Sequence, residues 1–115
     1  DSVAQRRIRE ARFPDLKTLD MVEWDELNGI SRPVVQQLAT CGFIERGEDV
    51  ILAGPIGTGK SMLAISLGME AARRRYRVAF QRAADLVREL REASSQLTLG
   101  RLQRRYGKVD LLVLD

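Results

Sequence analysis

The sequence predicts an α/β fold in which helices cover both faces of a parallel sheet. Three short apolar runs, "DVILAG", "RVAF" and "VDLLVLD", lack the alternation of half-exposed strands and indicate strands covered on both sides. The segments between them have helical periodicity, and a glycine-rich loop follows the first run. The resulting order, β-α-β-α-α-β, is typical of a doubly wound fold with right-handed crossovers.

Two segments precede the first predicted strand. Residues 2–13 form a polar, arginine-rich helix that ends before Pro14 and needs a partner surface. Residues 14–30 are expected to be an extended, acidic segment over the core, with Trp24 in a packing role. We therefore divide the chain into a lead-in over residues 1–30 and a core over residues 31–115.

Helix boundaries are predicted from caps and apolar stripes. Ser31 is the expected N-cap of a helix that has Pro33 in its first turn and ends at Gly42, with Cys41 a small buried residue. "KSMLAISLGMEAARRR" is a helix whose arginines lie at its negative end, and "AADLVRELREAS" and "TLGRLQRRYG" are two further helices.

Composition limits the function classes. The chain has 44% apolar and 30% charged residues. It has no apolar run long enough for a membrane span and no N-terminal pattern of a secretion signal, so we expect a soluble, cytoplasmic protein. One cysteine and no histidine exclude an internal disulfide, a zinc site and a Ser-His triad. Because the chain starts without Met and stops at the end of a strand, we expect it to be a fragment.

Charge is unevenly distributed. Residues 1–59 carry seven basic and ten acidic side chains, whereas residues 60–115 carry twelve and six. The second half therefore suits a polyanion, although a solvated helical face is the simpler interpretation of the same charges. Its arginines and Lys108 form two clusters, over residues 73–91 and 101–108.

The loop "GPIGTGKS" has the form G-x-x-x-x-G-K-S/T. Its glycines permit backbone angles that turn consecutive N–H groups toward one anion, and the following helix adds the positive end of its dipole. Lys60 reaches the β and γ phosphates, and Ser61 offers a hydroxyl to magnesium. The predicted nucleotide-binding residues are Gly54, Pro55, Ile56, Gly57, Thr58, Gly59, Lys60, Ser61 and Met62.

A second element, a strand that ends in a carboxylate, completes this predicted site. The strand "VDLLVLD" delivers Asp115 to the edge of the sheet where open α/β folds bind their ligands. We expect Asp115 to hold Mg²⁺, in part through water. ATP and Mg²⁺ are therefore the predicted cofactors, Ser61 and Asp115 the metal ligands, and Lys60 and Asp115 the catalytic residues.

The stretches "ARFPDLKTLD", "FIERGEDVILAGPIGTGKSMLA", "ADLVRELREA" and "DLLVLD" resemble the IstB family of transposition helper ATPases. This family belongs to the AAA+ superfamily and is close to the DnaC-type helicase loaders. The resemblance implies a P-loop NTPase, a three-layer sandwich with a parallel sheet, truncated here after the Walker B strand. It makes Lys60 and Ser61 the Walker A residues and Asp115 the Walker B magnesium ligand.

The resemblance also implies features outside these residues. Family members act as homo-oligomers on DNA, with a neighbour's arginine completing each ATP site. That arginine, a catalytic glutamate, a sensor and a helical lid would lie beyond Asp115, so we expect weak nucleotide binding and negligible hydrolysis by this chain. A fourth strand would lie between the first and third strands, and without it the fragment is expected to fold poorly. The adenine pocket is placed near residues 27–30.

By the same resemblance, residues 94–107 occupy the place of a helical element that faces DNA. Arg101, Arg104 and Arg105 are predicted to contact the backbone without reading sequence, while Tyr106 either packs or stacks on a base.

Several functions share these motifs. The favoured one is an ATP-dependent regulator of transposition with a transposase partner, and the nearest alternative is a helicase loader in replication. A small-molecule kinase and a non-hydrolysing adaptor remain open, and GTP is disfavoured because neither D-x-x-G nor N-K-x-D occurs.

Overall fold

The computed structural model describes residues 1–27, 29–53 and 59–115, and in those ranges it contains six helices and a two-stranded parallel sheet. The α/β class is confirmed, as are the helices and strands predicted after residue 59, with small shifts at their ends. In chain order the elements are α1 (Ser2–Ala11), α2 (Arg32–Leu38), α3 (Gly42–Glu45), α4 (Lys60–Arg73), β1 (Val78–Gln81), α5 (Ala83–Ser95), α6 (Leu99–Gly107) and β2 (Leu111–Leu114).

The sheet pairs β1 with β2 in parallel, with Val78 opposite Leu111 and Gln81 opposite Leu114. Parallel strands need a long crossover, which α5 and α6 supply. Pairing continues past β2, because the Asp115 N–H donates to the Gln81 carbonyl at 3.1 Å. The position of Asp115 at the carboxyl edge of the sheet is therefore set by backbone hydrogen bonds.

Helix α4 is the centre of the core and separates two apolar clusters. On one side α1 packs against α4 and β1, so the predicted need of α1 for a partner surface is confirmed. Gly68 allows this close packing, since a Cβ there would lie 2.9 Å from Phe13 Cε1 and 3.1 Å from Val113 Cγ2. The buried members of this cluster are Ala11, Cys41, Ala71, Ala72, Val78 and Val113.

The lead-in covers the other side of α4. It lies over the core, as predicted, but contains two short 3-10 turns, Leu19–Met21 and Trp24–Glu26, within the segment predicted to be extended. Trp24 packs against the second cluster, as predicted, and the Arg32 guanidinium lies 5.1 Å from its ring centroid. The buried members of this cluster are Val22, Val35, Leu63 and Leu67.

The prediction of a buried strand over residues 49–53 is wrong for this structure. These residues have no strand hydrogen bonding, and Ile51 is 87% exposed. A cleft of about 1100 Å³ is lined both by residues 47–52 and by residues 110–115, with the first turns of α4 between them. A strand exists only by pairing with a neighbour, and no strand in the described ranges is hydrogen-bonded to this segment.

The predicted end of the second helix at Gly42 is also wrong. That helix, α2, ends at Leu38, and Gly42 begins α3. Cys41 makes the turn between them in a left-handed conformation, with φ of 64°, and its N–H donates to the Leu38 carbonyl at 2.9 Å. The buried position predicted for Cys41 is confirmed, since it is 1% exposed.

Candidate functional site

The amino end of α4 combines a glycine with an open helix terminus. Gly59 is the N-cap, with φ of 82°, and its carbonyl accepts the Leu63 N–H at 3.0 Å. This left-handed conformation favours glycine. The N–H groups of the first turn point toward this end of the helix, and together with the helix dipole they make it attractive to anions.

The predicted phosphate loop is only partly within the described ranges. Gly54, Pro55, Ile56, Gly57 and Thr58 lie outside the described residues, and their contact with nucleotide stays a prediction. Gly59, Lys60 and Ser61 line the cleft beside β2. Met62 instead packs on the apolar cluster of the lead-in.

Ser61 and Asp115 meet at one edge of this cleft. The Ser61 hydroxyl donates to Asp115 Oδ1 at 2.9 Å, across 54 residues of sequence. Ser61 comes from the first turn of α4, and Asp115 directly follows β2. A hydroxyl and a carboxylate oxygen at one point are hard oxygen donors of the kind that Mg²⁺ prefers.

Asp110, at the opposite end of β2, has a different environment. Its Oδ2 accepts the Arg77 N–H at 2.7 Å, and its own N–H donates to the Arg77 carbonyl at 2.7 Å. These bonds close the amino end of the sheet. Asp110 is therefore a structural carboxylate, whereas Asp115 faces the end of α4.

Leu27 lies against the end of the phosphate loop. A Cβ on Gly59 would be 2.8 Å from Leu27 Cδ2, and both Leu27 and Ile30 pack on the cluster that contains Leu63. Asn28 is outside the described residues. Family resemblance alone pointed to residues 27–30, because no local pattern in the sequence distinguishes Leu27 from other apolar residues.

The three arginines predicted to contact DNA have unequal surroundings. Arg101 and Arg104 are exposed and make no ion pair with any residue in the described ranges. Arg105 forms an ion pair with Glu89 of α5, and its guanidinium lies 4.8 Å from the Tyr106 ring centroid. Hydrogen bonding to Tyr106, with the pairing to Glu89, raises the pKa of Arg105, which therefore stays charged.

Sequence reasoning missed Glu89 and Gln81, which join the same group of side chains. Gln81 Nε2 donates to Glu89 Oε1 at 2.5 Å and lies 3.4 Å from Tyr106 Oη. Gln81 belongs to β1, Glu89 to α5, and Arg105 and Tyr106 to α6. These three elements come together only in the folded chain. The only signal in the sequence was that Glu89 and Arg105 both lie on amphipathic helices next to each other in the chain.

Comparison with known proteins gives a consistent family match. The profile described as "IstB-like ATP binding protein" matches residues 2–115. The chain is 39% identical over 111 residues to "Insertion sequence IS21 putative ATP-binding protein" of Pseudomonas aeruginosa, which covers 96% of the chain and 42% of the relative. It is 36% identical over 111 residues to "Insertion sequence IS5376 putative ATP-binding protein" of Geobacillus stearothermophilus, covering 96% and 44%.

The chain thus spans less than half the length of these two relatives. Within residues 1–27, 29–53 and 59–115, no helix combines the length and apolar character of a membrane span.

Proposed function

The chain belongs to the family of IstB-like ATP-binding proteins, and we propose that it forms the ATP·Mg²⁺ site of a protein that acts on DNA with a transposase. The relatives carry insertion-sequence names, which supports a role in transposition. Assembly into a homo-oligomer and the identity of the partner stay predictions from the family resemblance.

The observation that carries this proposal is the contact between Ser61 and Asp115. Their side-chain oxygens are 2.9 Å apart, beside the amino end of α4 and the carboxyl end of β2. The carboxylate at the end of β2 and the hydroxyl at the start of α4 together suit a bound cation. A phosphate bound at the start of the helix would contact the same cation.

The donor set fits magnesium and nucleotide. Ser61 and Asp115 would hold Mg²⁺, which keeps water on its remaining positions, and the ion would neutralise charge on the β and γ phosphates. Gly59 and the first N–H groups of α4 would bind phosphate oxygens, with Lys60 adding a full positive charge. The family resemblance would place the base near residues 27–30, and Leu27 packs against Gly59 at the start of α4.

Titration with a fluorescent ATP analogue tests the phosphate site. Lys60→Ala removes a charge-assisted contact of about 1.5–3 kcal/mol, which corresponds to a loss in affinity of roughly ten- to a hundredfold. Lys108→Ala is the matched control, because it removes the same charge at the far end of α6. Equal affinity of the two variants would contradict the proposed site.

We further propose that α6 contacts the DNA backbone through Arg101 and Arg104. Each lost phosphate contact on duplex DNA reduces the slope of log affinity against log salt concentration by about 0.9. Replacing both arginines with alanine should therefore flatten the slope by roughly 1.8. The control replaces Arg6 and Arg9 of α1, and a double variant of α6 that keeps the wild-type slope would rule out this face.

Turnover is a separate prediction. We expect negligible Mg²⁺-dependent ATP hydrolysis by the 115-residue chain, because phosphoryl transfer also needs a group that orients the attacking water and a cation for the transition state. Release of phosphate by the purified chain at rates above a Lys60→Ala control would contradict this expectation.

A further inference from the structure

Glu89 pairs with Arg105 at the surface of the molecule, where the Arg105 side chain is 58% exposed. Arg105 Nη2 donates to Glu89 Oε2 in an ion pair between α6 and α5. The same nitrogen donates to Tyr106 Oη at 3.1 Å, and the guanidinium lies over the Tyr106 ring. Arg105 therefore has two intramolecular partners, Glu89 and Tyr106.

The carboxylate of Glu89 is itself anchored. Gln81 Nε2 donates to its Oε1 at 2.5 Å, and Tyr106 Oη donates to its Oε2 at 3.4 Å. The Gln81 amide is oriented in turn, because its Oε1 accepts the Arg82 N–H at 3.1 Å. Side chains from β1 and α6 thus fix the carboxylate, and the Glu89 side chain is only 28% exposed.

The remaining cations of α6 are in no ion pair within the part of the chain that the structure describes. At 100° per residue, Arg101, Arg104, Arg105 and the adjoining Lys108 lie on one face of the helix. Within the described ranges only Arg105 of these four is in an ion pair, and residues 96–109 include no acidic side chain. One of four cations on this face is therefore neutralised, and a residue of another helix neutralises it.

We propose that Glu89 is an internal competitor for the DNA backbone: its carboxylate occupies the position on Arg105 that a phosphate would take. This inference rests on the proposed contacts of α6 with DNA. Carboxylate and phosphate bind the guanidinium fork in the same way, so DNA gains the contact with Arg105 only by displacing Glu89. As a consequence, α6 binds the DNA backbone more weakly than its positive charge alone would predict.

A pair of isosteric variants tests the proposal against a mixed-sequence DNA duplex. Glu89→Gln keeps the size of the side chain and one acceptor oxygen but removes its charge, and Glu92→Gln removes the same charge on the same helix from a residue outside any ion pair in the described ranges. We expect Glu89→Gln to tighten binding about two- to fivefold, the worth of a partly exposed ion pair. It should also steepen the salt slope by about 0.9, while Glu92→Gln leaves the slope unchanged.

Further variants separate the possible causes. In the Glu89→Gln background, Arg105→Ala should abolish the gain, and a gain that survives would overturn the proposal. Glu89→Asp keeps the charge but withdraws it from Arg105, so tighter binding is expected there as well, which provides a test if Glu89→Gln fails to fold.

Two failures are distinguishable. If replacing Arg101 and Arg104 leaves DNA binding unchanged, the proposed DNA face is wrong. If that replacement weakens binding but Glu89→Gln and Glu92→Gln behave alike, only the role of Glu89 is refuted.

Discussion

Gly68 lies where α4 packs against Phe13 and against Val113 of β2, and replacing it with alanine tests the packing that brings Ser61 to Asp115. A Cβ at this position would be 2.9 Å from Phe13 Cε1 and 3.1 Å from Val113 Cγ2. Val113 is buried in the sheet, so α4 and β2 would have to separate, or the Phe13 ring would have to move.

Two opposing effects determine the size of the change. Alanine is favoured over glycine inside a helix by about 1 kcal/mol. Overpacking a filled core costs about 1–3 kcal/mol. Because the new atom would touch both an aromatic ring and a sheet side chain, we expect a net loss in the free energy of unfolding of roughly 1 kcal/mol.

Urea denaturation followed by circular dichroism measures this change. Gly100→Ala in α6 is the matched control, since a Cβ there would meet only the flexible Arg104 Nη1 at 3.4 Å. We expect Gly100→Ala to be neutral or stabilising. Stabilisation of the same size by Gly68→Ala would refute the close approach of α4 to Phe13 and β2.

Other sites give independent predictions. Gly59→Ala should lower both the melting temperature and the affinity for the ATP analogue. The φ of Gly59 is 82°, and the new Cβ would lie 2.8 Å from Leu27 Cδ2. An unchanged melting temperature and an unchanged affinity would contradict this prediction. Burial raises the pKa of the Cys41 thiol, so an aromatic disulfide reagent should react only after unfolding, and rapid reaction of the native chain would count against burial. The contribution of Cys41 to stability is full below the unfolded thiol pKa of about 8.5 and declines as the pH rises above it. Asp1→Ala should cost about 0.5–2 kcal/mol, since Asp1 caps α1 and pairs with Arg75, and no loss in urea denaturation would show that the cap is dispensable.

Local patterns predicted the second half of the chain well. The apolar stripe of α4 and the amphipathic pattern of α5 and α6 are properties of short segments, as are the two apolar runs that form β1 and β2. The meeting of Ser61 with Asp115 also followed from the sequence, because parallel strands and crossover helices place strand ends and helix starts at the same edge.

Features that depend on distant neighbours were not predictable in this way. Residues 49–53 have the composition of a buried strand, but strand structure requires a hydrogen-bonded neighbour that local sequence does not reveal. Gly42 is the residue type that commonly ends a helix, whereas in the structure Cys41 makes the left-handed turn. The ion pair of Glu89 with Arg105 depends on how α5 and α6 pack, which periodicity alone does not specify.

The most direct test of the central claim is a double-mutant cycle between Ser61→Ala and Asp115→Asn, measured as the gain in ATP affinity on adding Mg²⁺. If both side chains hold one ion, each single change should remove most of that gain. The double variant should then lose little more, with a coupling energy of about 0.5–3 kcal/mol. Losses that simply add, or a Mg²⁺ gain that survives either change, would contradict a shared magnesium site.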